Sequence, residues 1–239
     1  LIGPGANLAG ANFRNADLTG VNLTGANLTA ADLAGTQMNN ANLTDADLSH
    51  ANMLYTELSG ANLTGVSSGS ITARWPPELP TDWKLISGYL IGPGANLSNA
   101  NLSSIDLTSA NLTGVSSGGI TGTPTLSTNW ILAGGYLIGP DANLSNANLS
   151  SLDLTSADLT GVTSGGVTGT PTLPTGWLLA NGYLIGPGAN LSNADLSGTD
   201  LTAANLTSAN LTGVSSGGIT GAPTLSTNWI LAGGYLIGP

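Results

Sequence analysis

Residues 6–65 of the chain read ANLAG ANFRN ADLTG VNLTG ANLTA ADLAG TQMNN ANLTD ADLSH ANMLY TELSG ANLTG. A large apolar residue stands at the third position of each of these twelve pentads, from Leu8 to Leu63. The first position is small or β-branched, and the second is usually Asn or Asp. The stretch is therefore a five-residue repeat of the form A-(N/D)-L-x-x.

A five-residue period fits neither a helix nor a flat strand. Successive leucines would lie about 140° apart around a helix, and in a strand an odd period alternates between the two faces. Both apolar positions become internal if each pentad is a short extended side that ends in a corner. Four sides then close a square coil, and stacked coils pair backbone to backbone at about 4.8 Å. The pattern predicts a solenoid with Leu stacked on Leu and Ala on Ala.

The repeats resemble the pentapeptide-repeat family, and the runs NLTGANLTAADL and SNANLSSIDLTSANL carry the likeness. The resemblance implies an all-β fold, the right-handed quadrilateral β-helix. It implies no single function, because the family includes DNA-mimicking gyrase binders and regulators on the same fold.

A longer repeat is superimposed on the pentads. We predict one solenoid over residues 1–239, with pentapeptide blocks at 6–65, 95–114, 142–161 and 189–213 and inserts at 66–94, 115–141, 162–188 and 214–239. Tyr89, Tyr136 and Tyr183 are 47 residues apart, and Tyr235 follows after 52 because the last block has one extra pentad. The second and third inserts should therefore emerge on one side, and the fourth about a quarter-turn away.

Each insert contains two extended segments, such as ITGTPTL at 120–126 and WILAGGYLIGP at 130–140. Two structures fit this pattern: a β-hairpin or strand pair beside the solenoid, or an irregular coil with a protruding turn. The aromatic residues of the inserts are predicted to form the insert core or a lateral contact. They are Trp83, Tyr89, Trp130, Tyr136, Trp177, Tyr183, Trp229 and Tyr235.

Composition excludes several classes of function. Three basic against 13 acidic residues give a net charge of -10, so we expect no nucleic-acid partner. Cysteine is absent, and His50 is the single histidine, which excludes thiolate sites and histidine metal clusters. No run of about 18 apolar residues occurs, so we expect no membrane span. We predict no catalytic residue, no cofactor and no metal, and hence a protein that is not an enzyme.

The sequence GVSSG at 65–69 matches the G-x-S-x-G pattern of serine hydrolases and recurs around Ser116 and Ser215. That pattern needs a strand-to-helix turn and a histidine partner. The third copy has Thr163 at the serine position, and no helix is indicated. We therefore interpret it as a turn where the chain leaves a coil.

Most acidic residues occupy the outward second position of a pentad, which invites a DNA-mimic interpretation. Spread over about ten coils, the net charge gives one charge per about 5 Å, against one per about 1.7 Å in duplex DNA. The density is too low, so the choice between Asn and Asp is interpreted as serving solubility. These residues are Asp17, Asp32, Asp47, Glu57, Asp106, Asp153, Asp158, Asp195 and Asp200.

Ser or Thr dominates the fourth position of the pentad. A flat column of Thr could order water as in ice-binding solenoids, although small β-forming residues also suit an exposed position beside a corner.

The repeat also contains the glycosylation sequon N-L-S or N-L-T many times, as at Asn22, Asn96 and Asn190. These sites become candidates for glycans if the chain is exported, but the repeat code generates them without any glycan.

The chain opens with LIGPGANL and closes with GGYLIGP, at the same phase of the long repeat. No polar cap of the kind usual for solenoids is visible in the sequence. We expect either a segment of a longer array or end coils that stack head to tail between molecules. The candidate end-to-end interface is Leu1, Ile2, Leu8, Tyr235, Leu236 and Ile237.

The sequence thus favours a structural solenoid whose partner is itself. Head-to-tail stacking would give an extracellular filament or surface layer, and three Lys and Arg residues offer few trypsin-like cleavage sites. The alternatives are a cytoplasmic protein-binding scaffold, such as a gyrase-binding DNA mimic, and an ice- or surface-binding solenoid.

Overall fold

A computed structural model of the chain describes all 239 residues and contains two compact units, Leu1–Ser127 and Thr128–Pro239. Regular strands form four antiparallel hairpins, and no helix that could span a membrane is present. The hairpins are β1 Lys84–Ile86 with β2 Tyr89–Ile91, β3 Ile131–Ala133 with β4 Tyr136–Ile138, β5 Leu178–Ala180 with β6 Tyr183–Ile185, and β7 Ile230–Ala232 with β8 Tyr235–Ile237. The continuity of one solenoid over 1–239 stays a prediction.

The pentads form coils of twenty residues. Asn7 pairs with Asn27, Asn27 with Asp47 and Asp47 with Ser67, each time as a parallel bridge. At such a bridge the Asn27 N–H donates to the carbonyl of Ala6 at 2.9 Å, and the Leu8 N–H donates to the Asn27 carbonyl at 2.7 Å. Four pentads therefore complete one turn, which confirms the four-sided coil.

Each corner is a tight turn at the end of a pentad. The Ala11 N–H donates to the Leu8 carbonyl at 3.0 Å, and Gly10 between them has a φ of 66°. A positive φ at the third residue is the mark of a type II turn, which favours Gly or Asn there. His50 and Tyr55 occupy the same position with φ of 61° and 56°, a conformation that is uncommon for bulky residues.

The interior contains the two predicted columns. Leu23, Leu43 and Leu63 stack twenty residues apart and are fully buried. Ala41 and Ala61, beside Leu43 and Leu63, are buried as well. Thr36 and Thr56 replace alanine, and their hydroxyls donate to the carbonyls of Phe13 and Leu33 at 2.8 and 2.9 Å. The hydroxyls are thereby satisfied, so the ring of small residues is kept without an unpaired polar group.

Each insert is both a coil and a hairpin. In the first insert Ser67, Thr72 and Glu78 continue three sides by pairing with the coil before them. The hairpin β1–β2 takes the place of the fourth side, and Asn96 then pairs with Ser67. Both hairpin strands come from the second extended segment alone. The two segments of an insert therefore do not pair with each other, and the insert combines a coil with a hairpin.

The hairpin turns have two residues each, both with positive φ. Gly134 and Gly135 have φ of 56° and 83°, and Ser87 and Gly88 have 49° and 86°. Two consecutive positive values define the type I′ turn, whose twist matches that of paired strands. The turn chemistry therefore fixes the register of Leu132 opposite Leu137.

The predicted rotation of the fourth insert is confirmed within the second unit. Asn143, Thr163 and Asn190 form one column, so the hairpins before Asn143 and Asn190 precede the same side. The third hairpin follows Thr172, which pairs with Asp153 in the third pentad of its block. The fourth follows Thr224, which pairs with Asn205 in the fourth pentad. The extra pentad moves the hairpin by one side.

Candidate functional site

One tryptophan of each insert lies over the glycine that directly follows the second strand of the hairpin. The Trp83 ring lies directly against Gly92, where no side chain could fit. A ring over a bare backbone buries apolar surface that glycine cannot cover itself. The same contact recurs between Trp130 and Gly139, Trp177 and Gly186, and Trp229 and Gly238. The structure thus packs these four of the five tryptophans inside their own inserts.

The tyrosines of the first three inserts link the hairpin to the coil that follows. The Tyr89 hydroxyl accepts the N–H of Asn101 at 3.0 Å, and its ring packs against Gly69. Tyr136 accepts from Asn148 at 3.0 Å. Tyr183 accepts from Asp195 at 3.4 Å. Tyr235 receives no such bond, and 56% of it is exposed.

The serines of the G-x-S-x-G pattern have structural contacts. The Ser67 N–H donates to the Ala46 carbonyl at 2.9 Å, and its hydroxyl accepts the amide of Asn96 at 3.1 Å. The next residue, Ser68, accepts the N–H of Leu90 from the hairpin at 2.9 Å. This segment therefore continues the coil as a ladder position and anchors the hairpin, and it is not the turn out of a coil that the sequence predicted.

The Asn or Asp of a pentad shapes the corner. Asp17 Oδ1 accepts the N–H of Thr19 at 3.0 Å, and Asp106 accepts that of Thr108 at 2.9 Å. A short side-chain acceptor that binds the backbone two residues ahead stabilises a turn. Asn22 accepts in the same way from Thr24 at 3.1 Å. The acidic residues therefore have a local structural role beyond the solubility that the sequence suggested.

These contacts shift the acidity of the aspartates. Hydrogen bonds from the following Thr, first from its backbone and then from its hydroxyl, lower the pKa of Asp106 and Asp153. For Asp200 the side-chain bond of Thr202 lowers the pKa most. Burial raises the pKa of Asp32, but bonds from Arg14, Ala34 and Asn52 outweigh it and the pKa is lowered.

We predict that the fold loses stability in acid because of these aspartates. A carboxyl whose pKa is lower in the folded chain stabilises it above the unfolded pKa of about 3.9, and this contribution disappears as the pH falls through the folded value. The thermal midpoint should be flat above about pH 5 and fall below about pH 4. Circular dichroism melts at a series of pH values measure it.

Replacement of Asp106, Asp153 and Asp200 by asparagine provides the control, because an amide oxygen accepts the same hydrogen bonds but does not titrate. The triple variant Asp106→Asn, Asp153→Asn, Asp200→Asn should fold at neutral pH and decline less in acid. An identical decline in both proteins would show that these carboxylates do not cause the acid sensitivity.

Eight of the Ser and Thr hydroxyls at the fourth position are engaged within their own pentads. Thr108 donates its hydroxyl to Asp106 at 2.7 Å, and Thr44 donates to Asn42 at 2.6 Å. Eight hydroxyls make this bond: Thr24, Thr44, Ser103, Thr108, Ser150, Thr155, Ser192 and Thr202. A donor already used in this way does not organise water, which counts against the ice-binding alternative.

Several sequon asparagines use their amide nitrogen between coils. Asn190 Nδ2 donates to the hydroxyl of Thr163 at 3.2 Å, and Asn210 Nδ2 donates to Asn190 Oδ1 at 3.2 Å. A glycan is attached at this nitrogen, so glycosylation of Asn190 would replace a bond between layers. The ladder therefore disfavours glycans at these positions.

The predicted end-to-end residues lie at the first and last layers. Leu1 is fully exposed and Ile2 is 46% exposed, whereas the equivalent Leu90 and Ile91 are buried. Leu8 is half-buried beside the core of the first unit. At the other end Tyr235 and Ile237 are exposed and Leu236 is buried. The terminal layers thus present apolar side chains that interior layers cover.

One exposed aromatic pair was not predicted. Tyr55 and Trp75 stack with ring centroids 6.5 Å apart and an interplanar angle of 12°, and both are more than half exposed. They are twenty residues apart and share one corner column, and Trp75 lies in the diverged first insert. No group of His, Asp or Glu residues is arranged to hold a metal ion.

Comparison with known proteins identifies the class of the fold. The model of the family described as pentapeptide repeats matches eight copies, at residues 5–33, 26–65, 94–116, 140–163 and 188–215. These ranges cover more than half of the chain. The chain belongs to the pentapeptide repeat family, and its fold is the right-handed quadrilateral β-helix. A comparison with curated proteins finds no match.

Solved structures include several similar proteins. A pentapeptide repeat protein of the Arabidopsis thaliana thylakoid lumen is 24% identical with a TM-score of 0.29, over 43% of this chain and 65% of that one. HetL of the cyanobacterium Nostoc sp. strain PCC 7120, involved in heterocyst differentiation regulation, is 26% identical with a TM-score of 0.26, over 92% and 87%. Trypsin-treated QnrB1, a plasmid-mediated fluoroquinolone resistance protein, is 17% identical with a TM-score of 0.29, over 92% and 90%.

Proposed function

We propose that the protein is a non-enzymatic structural solenoid whose terminal coils stack head to tail on other copies to form a filament. The observation that carries this proposal is the open edge of the first coil. The backbone N–H groups of Asn7, Asn12, Asp17 and Asn22 have no partner within the chain, although the same groups one coil later donate to carbonyls of the coil before. A row of free N–H groups is a template for another coil.

The opposite end supports the same proposal. Ile237 is 51% exposed, whereas Ile185 at the same place in the preceding insert is fully buried by the coil that follows it. Burial of such side chains removes apolar area from water at about 25 cal/mol per Å². Because the two ends present different surfaces, their contact is heterologous, and a heterologous contact that does not close into a ring propagates as a filament.

We place this filament outside the cell or at its surface. The support is compositional. Three Lys and Arg residues among 239 give few sites for trypsin-like proteases, and the chain has no cysteine thiol that would need a reducing compartment. A cytoplasmic location is the alternative.

Charge at the terminal layer tests the assembly. Ile237→Lys places an ammonium group where an apolar contact would form, so we expect assembly to be abolished while folding is retained. Thr113→Lys, at an exposed side position, is the matched control and should assemble normally. Sedimentation velocity over a wide concentration range measures both. A native chain that stays monomeric at every concentration contradicts the proposal.

A protein-binding scaffold is the second candidate, and the stacked pair of Tyr55 and Trp75 favours it. Away from the terminal layers these two are the exposed large hydrophobic residues of the chain. Aromatic residues are common anchors of protein interfaces. Tyr55 also adopts a φ of 56°, which the fold does not require of an aromatic residue. If the chain is strictly monomeric in sedimentation, the protein-binding scaffold is favoured over the filament.

A further inference from the structure

The first insert differs from the other three at the corner that carries the stacked aromatic pair. This corner spans six positions, from Thr72 to Glu78, whereas it spans four in the other inserts, as from Thr121 to Thr125. The longer corner contains Trp75, which is more than half exposed, as is the tyrosine on which it stacks. The added residues therefore build a surface and not a core.

An acidic pair lies on the side that follows this corner. Glu57 and Glu78 form a parallel bridge between adjacent coils, whose backbones run about 4.8 Å apart. Every other isolated bridge joins an acidic residue to a neutral one, or two neutral residues. The other inserts have Thr125, Thr172 and Thr224 at the place of Glu78. Like charges at paired positions are unfavourable, so the first insert keeps a repulsion that the other inserts avoid.

No cation of the chain neutralises this acidic pair. The single ion pair of the structure lies elsewhere, between Arg14 and Asp32. Glu57 Oε2 accepts the amide of Asn39 at 3.0 Å, and Glu78 Oε2 accepts a serine hydroxyl at 3.5 Å. Both glutamates keep Oε1 without a hydrogen bond, and Glu78 is exposed. The two carboxylates can therefore accept a positive group from outside the chain.

We infer that this corner binds an arginine-bearing segment of another protein. A guanidinium group is planar and charged, so it stacks on an aromatic ring and donates paired hydrogen bonds to carboxylates. Tyr55 and Trp75 provide the rings, and the acidic pair provides the carboxylates on the adjoining side. The net charge of -10 also favours the approach of a basic partner. The inference names the partner chemistry for the second candidate function and does not depend on head-to-tail assembly.

Arg74 determines which side of the corner the segment should cover. Arg74 precedes Trp75, whereas both glutamates lie beyond the corner, and its exposed guanidinium has no acidic partner. Because it repels a second guanidinium, the segment should lie over the glutamate side. Arg74→Ala should therefore bind an arginine peptide at least as tightly as the native chain does. Weaker binding by this variant would indicate an acidic partner and would contradict the inference.

Fluorescence anisotropy with a labelled peptide of alternating arginine and glycine tests the site. At about 0.15 M salt, where long-range attraction is screened, the double variant Glu57→Gln, Glu78→Gln should bind about tenfold more weakly and Trp75→Ala about fivefold more weakly. Asp195→Asn with Asp200→Asn is the matched control, because it removes the same charge elsewhere, and it should change the affinity less than about twofold. No binding by the native chain, or equal weakening in the two double variants, would overturn the inference.

Denaturant unfolding tests the acidic pair without any partner. Glu78→Thr introduces the residue of the other inserts and removes the repulsion, so it should raise the unfolding midpoint. Thr125→Glu is the reciprocal variant: it places an acid opposite Asp106 and should lower the midpoint. A lower midpoint for Glu78→Thr would show that the fold itself needs the acidic pair, and the argument for a basic partner would fail.

Sedimentation distinguishes this inference from the proposed filament. If self-association of the native chain is lost in Trp75→Ala but kept in Ile237→Lys, a second copy occupies the corner and the inference is wrong. If the native chain stays monomeric but binds the arginine peptide through Glu57 and Glu78, head-to-tail assembly is wrong and the inference stands.

Discussion

Replacement of Leu43 by alanine is expected to destabilise the first unit by about 3 kcal/mol. Leu43 is fully buried between Leu23 and Leu63 in one column of the core. A narrow coil cannot collapse around the lost atoms, because its walls are fixed by the backbone bonds between layers, so a cavity remains. Guanidinium unfolding followed by circular dichroism should show the loss as a lower midpoint.

Leu8→Ala is the matched control for this prediction. Leu8 occupies the same pentad position in the first coil but is half-buried, because no coil lies before it. Its replacement should therefore cost about 1 kcal/mol, in proportion to the smaller burial. Equal losses for the two variants would contradict the stacked-column account of the core.

Replacement of Gly186 by alanine is expected to destabilise the second unit by about 2 kcal/mol. A methyl group at this position would overlap the ring of Trp177, which lies against the Gly186 backbone. The ring would have to leave its place between the hairpin and the coil. The unfolding midpoint and the near-ultraviolet circular dichroism of tryptophan should both change.

Gly3 offers a control in the same sequence context, since LIGPGAN surrounds both glycines. Nothing lies within 4 Å of a Cβ built at Gly3, because no tryptophan faces it. Gly3→Ala should therefore change the stability by less than about 0.5 kcal/mol. A comparable loss at Gly3 would assign the effect to the backbone and not to the tryptophan contact.

The pentad code was sufficient to predict the coil. Leu43 and Ala46 are inside because only a four-sided turn lets both positions of a five-residue repeat face one interior. The rotation of the fourth hairpin followed from the extra pentad in the last block in the same way. Both the coil and the rotation depend only on the number of residues between repeats, which can be counted in the sequence.

The hairpins were predicted less well, although a signal was present. Gly134 and Gly135 separate ILA from YLI, and a two-residue glycine turn between apolar triplets is typical of a β-hairpin. The two extended segments were divided before Trp130, whereas the structure places the hairpin turn after it, at Gly134 and Gly135. The corner role of Asp106 had a signal as well, in the Thr that follows two residues later.

The stacked pair could not be predicted from the sequence. Tyr55 and Trp75 become neighbours because the register places residues twenty apart at one corner, and Trp75 lies in an insert of irregular length.

Electron microscopy of the concentrated native chain tests the central claim most directly. With the continuous solenoid that the sequence predicts, head-to-tail stacking should give unbranched filaments with an axial repeat of about 50 Å, from about ten coils of about 4.8 Å each. Filaments with that repeat, lost in Ile237→Lys, would establish the terminal layers as the functional surface. Discrete single particles at every concentration would contradict the account.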